Sequence, residues 1–84
     1  MAKIEIYTTP LCGYCSRAKA LLQRKGAAFE ETDITMVPGA RDIMIQRAGG
    51  LRTVPQIFID GKHVGGSDDL QLLERNGQLD PLLA

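Results

Sequence analysis

The chain has no net charge, because its ten lysine and arginine residues are balanced by ten aspartates and glutamates. A balanced chain gives no electrostatic reason to expect nucleic acid or an anionic membrane surface as a partner. No stretch approaches the roughly 20 apolar residues that a bilayer-spanning helix requires, and residues 1–5 lack the apolar run of a signal peptide. We therefore expect a cytoplasmic protein that acts on neither nucleic acid nor membranes.

Cysteine and histidine are also scarce, since the chain has two cysteines, Cys12 and Cys15, and one histidine, His63. Structural zinc needs about four ligands, so a zinc site built on this pair is disfavoured. A disulfide between the two cysteines would close too short a loop to staple the fold. Two alternatives remain open: an inert pair of small core residues, and an iron–sulfur site shared between two chains. In the cytosol structural disulfides are rare, so a close cysteine pair favours thiol–disulfide exchange.

The first half of the chain has the pattern of a strand, a helix and a second strand. Residues 3–8 alternate in polarity and predict a strand, and residues 29–34 predict a shorter one. Between them, apolar residues at helical spacing predict a helix over residues 13–25, which Gly26 ends. A helix between two strands of one sheet makes the strands parallel, with a right-handed crossover.

The second half begins at the Pro38-Gly39 turn and predicts one helix, two strands and a further helix. Asp60-Gly61 between two runs of strand formers is a strong hairpin signal, and His63 is interpreted as a surface residue of that hairpin. The predicted elements are a helix around residues 43–48, strands over 56–59 and 62–64, a helix that opens with Ser67-Asp68-Asp69 as N-cap and first turn, and an apolar tail, Leu79, Leu82 and Leu83, that docks on the body.

The element order β-α-β-α-β-β-α joins a parallel unit to an antiparallel hairpin. We predict an α/β protein of one domain, residues 1–84, with a four-stranded mixed sheet and helices on both faces. In such sheets, ligands gather at the carboxyl ends of parallel strands, beside helix N-termini. The segment that carries Cys12 lies at such a point.

The two cysteines are expected to have different chemical roles. Cys12 at the start of a helix faces unpaired N–H groups and the positive end of the macrodipole, which favour the reactive thiolate. Cys15 lies one turn further on the same helix face, where we expect it to be more buried, with a higher pKa. Cys12 would therefore attack a disulfide and Cys15 would resolve the mixed disulfide. Tyr14 would form an aromatic wall beside the sulfur.

The chain contains three motifs in the order Cys12-Gly13-Tyr14-Cys15, Thr53-Val54-Pro55-Gln56-Ile57-Phe58-Ile59 and Gly65-Gly66-Ser67-Asp68-Asp69-Leu70. They are similar to those of the glutaredoxin family, over nearly the whole chain from Ile4 to about Leu83. The first alone is weakly specific, because thioredoxins share a similar pair, but all three in so short a chain are highly specific. The resemblance, which is to small bacterial dithiol members, implies a thioredoxin fold and glutathione as co-substrate.

The resemblance also implies a glutathione site. The residue matching Pro55 is a cis-proline that faces the active cysteines, although a strand-starting proline fits the sequence equally well. The residue matching Val54 pairs its backbone with the cysteine of glutathione, as an added strand would. The segment matching Gly66-Ser67-Asp68 receives the γ-glutamyl end. The implied glutathione-binding residues are Tyr14, Thr53, Val54, Pro55, Gly66, Ser67 and Asp68.

Elementary electrostatics supports the γ-glutamyl assignment independently of the resemblance. A carboxylate is favoured at a helix N-terminus whose amides are bared by glycine, and the ammonium group of the ligand would be favoured beside an acid such as Asp68. Plain helix capping explains Ser67, Asp68 and Asp69 equally well on the sequence alone.

Two positions depart from the family pattern. Thr9 stands three residues before the first cysteine, where many members carry a lysine that supports the thiolate and meets a glutathione carboxylate. Arg52, Gln46 and Arg47 are the candidates to replace that lysine. Gly13 stands where proline is commonest, and some members without that proline hold a bridging [2Fe–2S] cluster between two subunits with glutathione thiols.

We expect a monomeric enzyme that reduces protein–glutathione mixed disulfides through Cys12 and protein disulfides through both cysteines. Its partners would be glutathione and disulfide-bearing or glutathionylated proteins. One alternative is a glutathione-ligated [2Fe–2S] dimer that carries iron–sulfur clusters, with Cys12 as the metal ligand. A second alternative is an electron donor reduced by thioredoxin reductase in place of glutathione, against which the Gly65-Gly66-Ser67-Asp68 segment argues.

Overall fold

A computed structural model describes residues 2–84 and contains four strands and four helices. The order of the first seven elements is the predicted one, and an eighth element, a short helix, stands where the sequence predicted an apolar tail. The elements are β1 (Ile4–Thr8), α1 (Gly13–Arg24), β2 (Glu30–Asp33), α2 (Ala40–Arg47), β3 (Gln56–Ile59), β4 (Lys62–Gly65), α3 (Ser67–Arg75) and α4 (Leu79–Leu83).

The four strands form one mixed sheet in the order β2-β1-β3-β4. Strand β1 pairs parallel with β2 and antiparallel with β3, so that Ile6 lies opposite Glu31 on one side and Ile57 on the other. Strands β3 and β4 form the antiparallel hairpin around Asp60-Gly61. The predicted four-stranded mixed sheet of an α/β protein is therefore confirmed.

The two central strands bury both of their faces, and this explains the core. Because successive side chains of a strand point to opposite faces, Ile6 and Ile57 pack on one face with residues of α1, α3 and α4 such as Leu79. Tyr7 and Phe58 pack on the other face against α2. The helices thus cover both faces of the sheet, as predicted.

Helix α2 is tied to the sheet by one arginine. The guanidinium of Arg47 donates two hydrogen bonds of 3.0 Å to the Glu5 carboxylate and one of 3.0 Å to the Tyr7 hydroxyl. Its central carbon lies 4.1 Å from the centre of the Phe58 ring, a cation–π geometry. The hydrogen bond from Arg47 is the main cause that holds the pKa of Glu5 below its usual value.

Two details of the third helix and the chain end differ from the sequence prediction. The N-cap of α3 is Gly66, so Ser67 is the first helical residue rather than the cap. Residues 79–83 form the short helix α4, because the fully buried Leu79 docks on the core and orders the backbone around it. Among residues 2–84, no helix has the length and hydrophobicity needed to cross a membrane.

Candidate active site

Cys12 caps the N-terminus of α1, directly after β1 and its connecting turn. Its backbone is extended, with φ −105° and ψ 111°, and its sulfur accepts a hydrogen bond from the backbone N–H of Cys15 at 3.2 Å. The side chain is partly exposed. The prediction that Cys12 stands at the helix start is confirmed, and a donor N–H at the sulfur favours a negative charge there.

Cys15 lies one turn into α1 and is 2% exposed. Burial, followed by the hydrogen bond with Cys12, raises the pKa of the Cys15 thiol to about 11, while the backbone N–H of Thr9 and the charge of Lys19 act in the opposite direction. The expected contrast between an accessible and a buried cysteine is therefore present. At neutral pH the Cys15 thiol is protonated.

The segment before β3 faces the cysteines. The carbonyl oxygen of Val54 lies 4.0 Å from the sulfur of Cys12, and the Val54–Pro55 peptide bond is cis. The cis-proline that the family resemblance implied is thus present. Residues 51–55 belong to no helix or strand, and Thr53, Val54 and Pro55 of this segment line a cleft.

A cleft of about 320 Å³ lies between this segment and the N-terminus of α3. It brings together all seven residues for which the sequence predicted glutathione binding, although they come from three separate parts of the chain. It also contains residues that the sequence analysis did not assign. The lining residues are Tyr14, Leu51, Thr53, Val54, Pro55, Gln56, Gly66, Ser67, Asp68 and Asp69.

The two aspartates in the first turn of α3, Asp68 and Asp69, have different surroundings. The Asp69 carboxylate accepts a hydrogen bond of 2.9 Å from the backbone N–H of Gly66 and so caps the helix. Asp68 is exposed on the cleft. The hydroxyl oxygen of Ser67 is buried, and no residue in the described part of the chain bonds to it. Capping therefore occupies Asp69 and leaves Ser67 and Asp68 facing the cleft.

Gly65 is required by this arrangement. Its φ is +119°, and a Cβ placed on it would collide with the Asp69 carboxylate. A left-handed backbone favours glycine, and here the close approach of the capping carboxylate adds a second reason. The conformation of Gly65 therefore sets how α3 presents its first amides to the cleft.

Two basic residues that the sequence places near the cysteines form ion pairs with different glutamates. Arg47, one of the candidates to replace the lysine that Thr9 lacks, is committed to Glu5 on α2's side of the sheet. Lys19 forms an ion pair of 2.9 Å with Glu31, whose carboxylate also accepts from the hydroxyl of Thr8 at 2.8 Å. The charge of Lys19 nevertheless reaches the cysteine pair, because it acts against the rise in the pKa of Cys15.

Two residues of the site region escaped the sequence analysis in whole or in part. Gln56 appeared as a strand residue and within the second motif without a role of its own, yet its buried amide donates to the Thr53 carbonyl oxygen. His63 is exposed, as the sequence analysis interpreted it, but its contact with Gln56 was not foreseen: Nε2 lies 2.7 Å from the amide oxygen. A polar amide inside an apolar run was the available signal, because a buried amide needs hydrogen-bond partners.

An accessible helix-capping cysteine, a buried second cysteine and a cleft beside a cis-proline define a thiol–disulfide oxidoreductase of the thioredoxin fold. The comparisons with known proteins agree. The glutaredoxin family model matches residues 4–64. Glutaredoxin 3 of Escherichia coli (strain K12) is 55% identical over 83 residues, which cover 99% of this chain and 99% of that protein.

Solved structures give the same result. The solution structure of glutaredoxin from Brucella melitensis is 55% identical with a TM-score of 0.85, covering 99% of this chain and 89% of that one. A buckwheat glutaredoxin–glutathione complex is 34% identical with a TM-score of 0.89, covering 98% of this chain and 76% of that one. The chain belongs to the glutaredoxin family, the glutathione-dependent thiol–disulfide oxidoreductases.

Proposed function

We propose that the protein reduces protein–glutathione mixed disulfides and protein disulfides, with Cys12 as nucleophile and Cys15 as resolving thiol. The observation that carries the proposal is the position of Cys12. Its sulfur receives the Cys15 N–H at 3.2 Å and stands 4.0 Å from the Val54 carbonyl oxygen at the cleft. A thiolate held by a helix N-terminus beside an open cleft is suited to attack an incoming disulfide.

The reaction with a glutathionylated protein needs Cys12 alone. The Cys12 thiolate attacks the glutathione sulfur, so that a Cys12–glutathione disulfide forms and the protein–glutathione bond breaks. The protein leaves as a thiolate and takes a proton from water. A second glutathione thiolate then attacks the bound glutathione sulfur, which releases oxidised glutathione and restores the Cys12 thiolate.

The reaction with a protein disulfide uses both cysteines. Cys12 attacks one sulfur, and the other sulfur of the substrate leaves as a thiol. Cys15 then loses its proton and attacks the sulfur of Cys12, so that the enzyme carries the Cys12–Cys15 disulfide and the substrate leaves fully reduced. Two glutathione molecules reduce that disulfide in turn. The spacing of the cysteines on one helix face supports this resolving role for Cys15.

The proposed glutathione position follows from the cleft. The open backbone of Val54, beside Thr53 and Pro55, would pair with the cysteine of glutathione as an added strand, and the half-exposed ring of Tyr14 would flank it. The γ-glutamyl carboxylate would lie at the N-terminus of α3, on the amides that begin at Gly66.

The polar side chains at α3 support the same orientation. The hydroxyl of Ser67 is buried and without a partner in residues 2–84, so it is available to donate to that carboxylate. Asp68 is free of the capping role and would receive the ligand's ammonium group. A buried hydroxyl without a hydrogen bond is unfavourable, so a ligand that supplies one is bound more tightly.

The decisive experiment compares two variants. Cys12→Ser should abolish reduction of a glutathionylated peptide, whereas Cys15→Ser should keep it and lose most direct reduction of a protein disulfide. Wild-type alkylation by iodoacetamide, measured against pH with and without glutathione, serves as the accessory test of thiolate character. Full deglutathionylation by Cys12→Ser would refute the mechanism.

Glutathione as the source of electrons is part of the proposal. The alternative of reduction by thioredoxin reductase is tested by comparing turnover with glutathione and glutathione reductase against turnover with NADPH and thioredoxin reductase. We expect the glutathione system to be the faster one, because the cleft brings the backbone of Thr53 and Val54 together with a helix N-terminus. The proposed setting is the cytoplasm, with a monomeric enzyme.

A second candidate function is a bridging [2Fe–2S] cluster between two chains. Gly13 favours it, because the space beside its α-carbon is open, with nothing within 4 Å of the place where a Cβ would lie. Within residues 2–84 no group of three or more ligating side chains comes together, so Cys12 of each chain and two glutathione thiols would supply the ligands. Anaerobic purification with glutathione, followed by absorbance and mass measurements, tests this. A colourless monomer would contradict it.

A further inference from the structure

Behind the Thr53–Val54 segment lies a buried amide that the proposed chemistry does not use. Gln56 is 1% exposed, and its Nε2 donates to the Thr53 carbonyl oxygen at 2.9 Å and lies 3.2 Å from the Thr53 hydroxyl. Its Oε1 lies 2.7 Å from Nε2 of His63. Since the amide nitrogen serves Thr53, the amide oxygen is the acceptor, and Nε2 of His63 carries the proton.

The two side chains are fixed on the same face of the sheet. His63 lies opposite Phe58 in the β3–β4 pairing, and the two rings have centroids 5.1 Å apart. Gln56 is two residues before Phe58 on β3 and therefore points to the same face. The packing of the imidazole on Phe58 thus holds its N–H toward the Gln56 amide.

The segment that these side chains hold has little other support. Residues 51–55 lie outside the helices and strands, so the ladder of β3 does not fix them. The Gln56 amide donates a hydrogen bond to the carbonyl oxygen of Thr53. The next carbonyl oxygen along the chain, that of Val54, lies 4.0 Å from the sulfur of Cys12. A hydrogen-bonded path therefore runs from His63 to the backbone that faces the nucleophile.

We propose that Gln56 and His63 are positioning residues, which hold the Thr53–Val54 backbone in the orientation that receives the glutathione moiety. This rests on the proposed function, because it assumes that glutathione pairs with Val54. Backbone pairing depends on the direction of each N–H and C=O group. A loosened segment therefore binds glutathione more weakly without changing the Cys12 sulfur itself.

The test uses Gln56→Met, which keeps the length of the side chain and removes its amide, and His63→Phe, which keeps the ring and removes its N–H. We expect the KM for a glutathionylated peptide to rise about tenfold in Gln56→Met, a change of about 1.4 kcal/mol, and less in His63→Phe. The kcat and the rate of Cys12 alkylation should stay within about twofold. His63→Gln, which restores a donor, should recover part of the loss.

Lys62→Phe is the matched control. Lys62 neighbours His63 on β4 and is exposed, but strand alternation directs it to the opposite face. We expect the KM of Lys62→Phe for the glutathionylated peptide to equal that of the wild type. A rise as large as that in His63→Phe would overturn the proposal, because the effect would then come from the edge strand as a whole.

A second measurement does not depend on turnover. In a Cys15→Ser background, the equilibrium constant of the Cys12–glutathione mixed disulfide is measured in glutathione redox buffers, and Gln56→Met should lower it about tenfold. Folded variants that unfold more easily but keep both KM and this constant would overturn the proposal, since the role would then be structural only. If Gln56→Met does not fold, His63→Phe and His63→Gln decide the question.

The outcomes also separate this inference from the proposed function. If the wild type turns over glutathionylated peptide but Gln56→Met and His63→Phe keep the wild-type KM and equilibrium constant, only the positioning role is refuted. A wild type without turnover, whose mixed disulfide is still weakened by Gln56→Met, refutes the proposed function and leaves the positioning role standing.

Discussion

At the scale of single residues, two cysteines three positions apart occupy very different surroundings. Cys12 lies at the N-terminus of α1 with an N–H at its sulfur, whereas Cys15 is buried. Burial disfavours the charged form of a thiol, and it is the main cause of the raised pKa of Cys15. The proposed division of labour between a nucleophile and a resolving thiol would thus follow from burial rather than from residue type.

The first prediction concerns the pH dependence of the resolving step. A thiol with a pKa of about 11 is ionised to only about one part in ten thousand at pH 7, and the thiolate fraction rises about tenfold per pH unit. Stopped-flow measurement of Cys12–Cys15 disulfide formation from a mixed disulfide should therefore show a rate that climbs from pH 7 to above pH 9. A resolving rate that is flat between pH 7 and 9 would contradict the assignment.

The second prediction concerns Gly65. Gly65→Ala should lower the free energy of unfolding by about 1–3 kcal/mol, because a side chain is strained at positive φ and collides with the capping carboxylate of Asp69. Gly13→Ala is the control, since nothing lies within 4 Å of its added Cβ. It should change the free energy of unfolding by less than about 1 kcal/mol. Urea unfolding of both variants measures this, and equal effects would contradict the argument.

At the scale of elements, the attachment of α2 to the sheet depends on a bidentate ion pair. The side chains of Glu5 and Arg47 are 23% and 28% exposed, so the pair is better shielded from water than an ordinary surface salt bridge. Arg47 also contacts the Tyr7 hydroxyl and the Phe58 ring. Helix α2 precedes the segment that faces Cys12, so this attachment also sets where that segment starts.

The third prediction is the effect of acid on this pair. The pKa of Glu5 is lowered in the folded protein, so its ionised form contributes stability above the ordinary carboxyl pKa of about 4.5, and this stability is lost as the pH falls. Glu5→Gln should lower the free energy of unfolding by about 1–2 kcal/mol at pH 7. Between pH 5 and pH 3, the free energy of unfolding of this variant should fall less than that of the wild type.

Glu30→Gln is the matched control for this acid effect. Glu30 lies opposite Glu5 on β2 and is exposed, and within residues 2–84 it forms no ion pair. Urea unfolding at pH 7 should give the control a smaller loss of unfolding free energy than Glu5→Gln, because it removes no ion pair, and the pH slope is measured for the wild type and Glu5→Gln. An unchanged slope in Glu5→Gln would show that the pair contributes nothing.

At the scale of the whole molecule, the chain end completes the core. Leu79 of α4 is fully buried in the cluster that joins α1 and α3 to the sheet. Lys25 adds an ion pair to Glu74 at 2.7 Å and one to Asp80 at 3.0 Å, which link the ends of α1, α3 and α4. The short helix is therefore a part of the fold that supports α1, the helix that presents Cys12.

The fourth prediction is a truncation of this contact. Leu79→Ala should lower the free energy of unfolding by about 2–4 kcal/mol, because it removes buried methyl groups and leaves a cavity. Leu82→Ala is the control, because Leu82 is 37% exposed, and its loss should stay below about 1 kcal/mol. Denaturant midpoints measure both. Equal losses would mean that Leu79 does not anchor α4 in the core.

The sequence predicted the sheet because its signals were local. The alternating residues of β1, the Asp60-Gly61 turn and the helical spacing after Cys12 each act within a few positions, and each predicted element is present. The prediction failed at Ser67, which is the first helical residue rather than the cap, because Gly66 supplies the cap through Asp69. Glycine has no side chain to reveal a capping role, so the sequence pattern pointed to the next polar residue.

For the site, the sequence by itself determined which residues are candidates for the chemistry. The cysteine pair and the two further motifs contain the seven residues predicted to bind glutathione, and all seven line the cleft in the structure. Only the tertiary structure decided that the amide of Gln56 donates to the Thr53 carbonyl, that His63 contacts this amide, and that the Asp69 carboxylate caps α3 at Gly66. The physical reason is that local patterns encode backbone conformation, whereas a hydrogen bond across a sheet depends on strand register and burial, which exist only once the chain has folded.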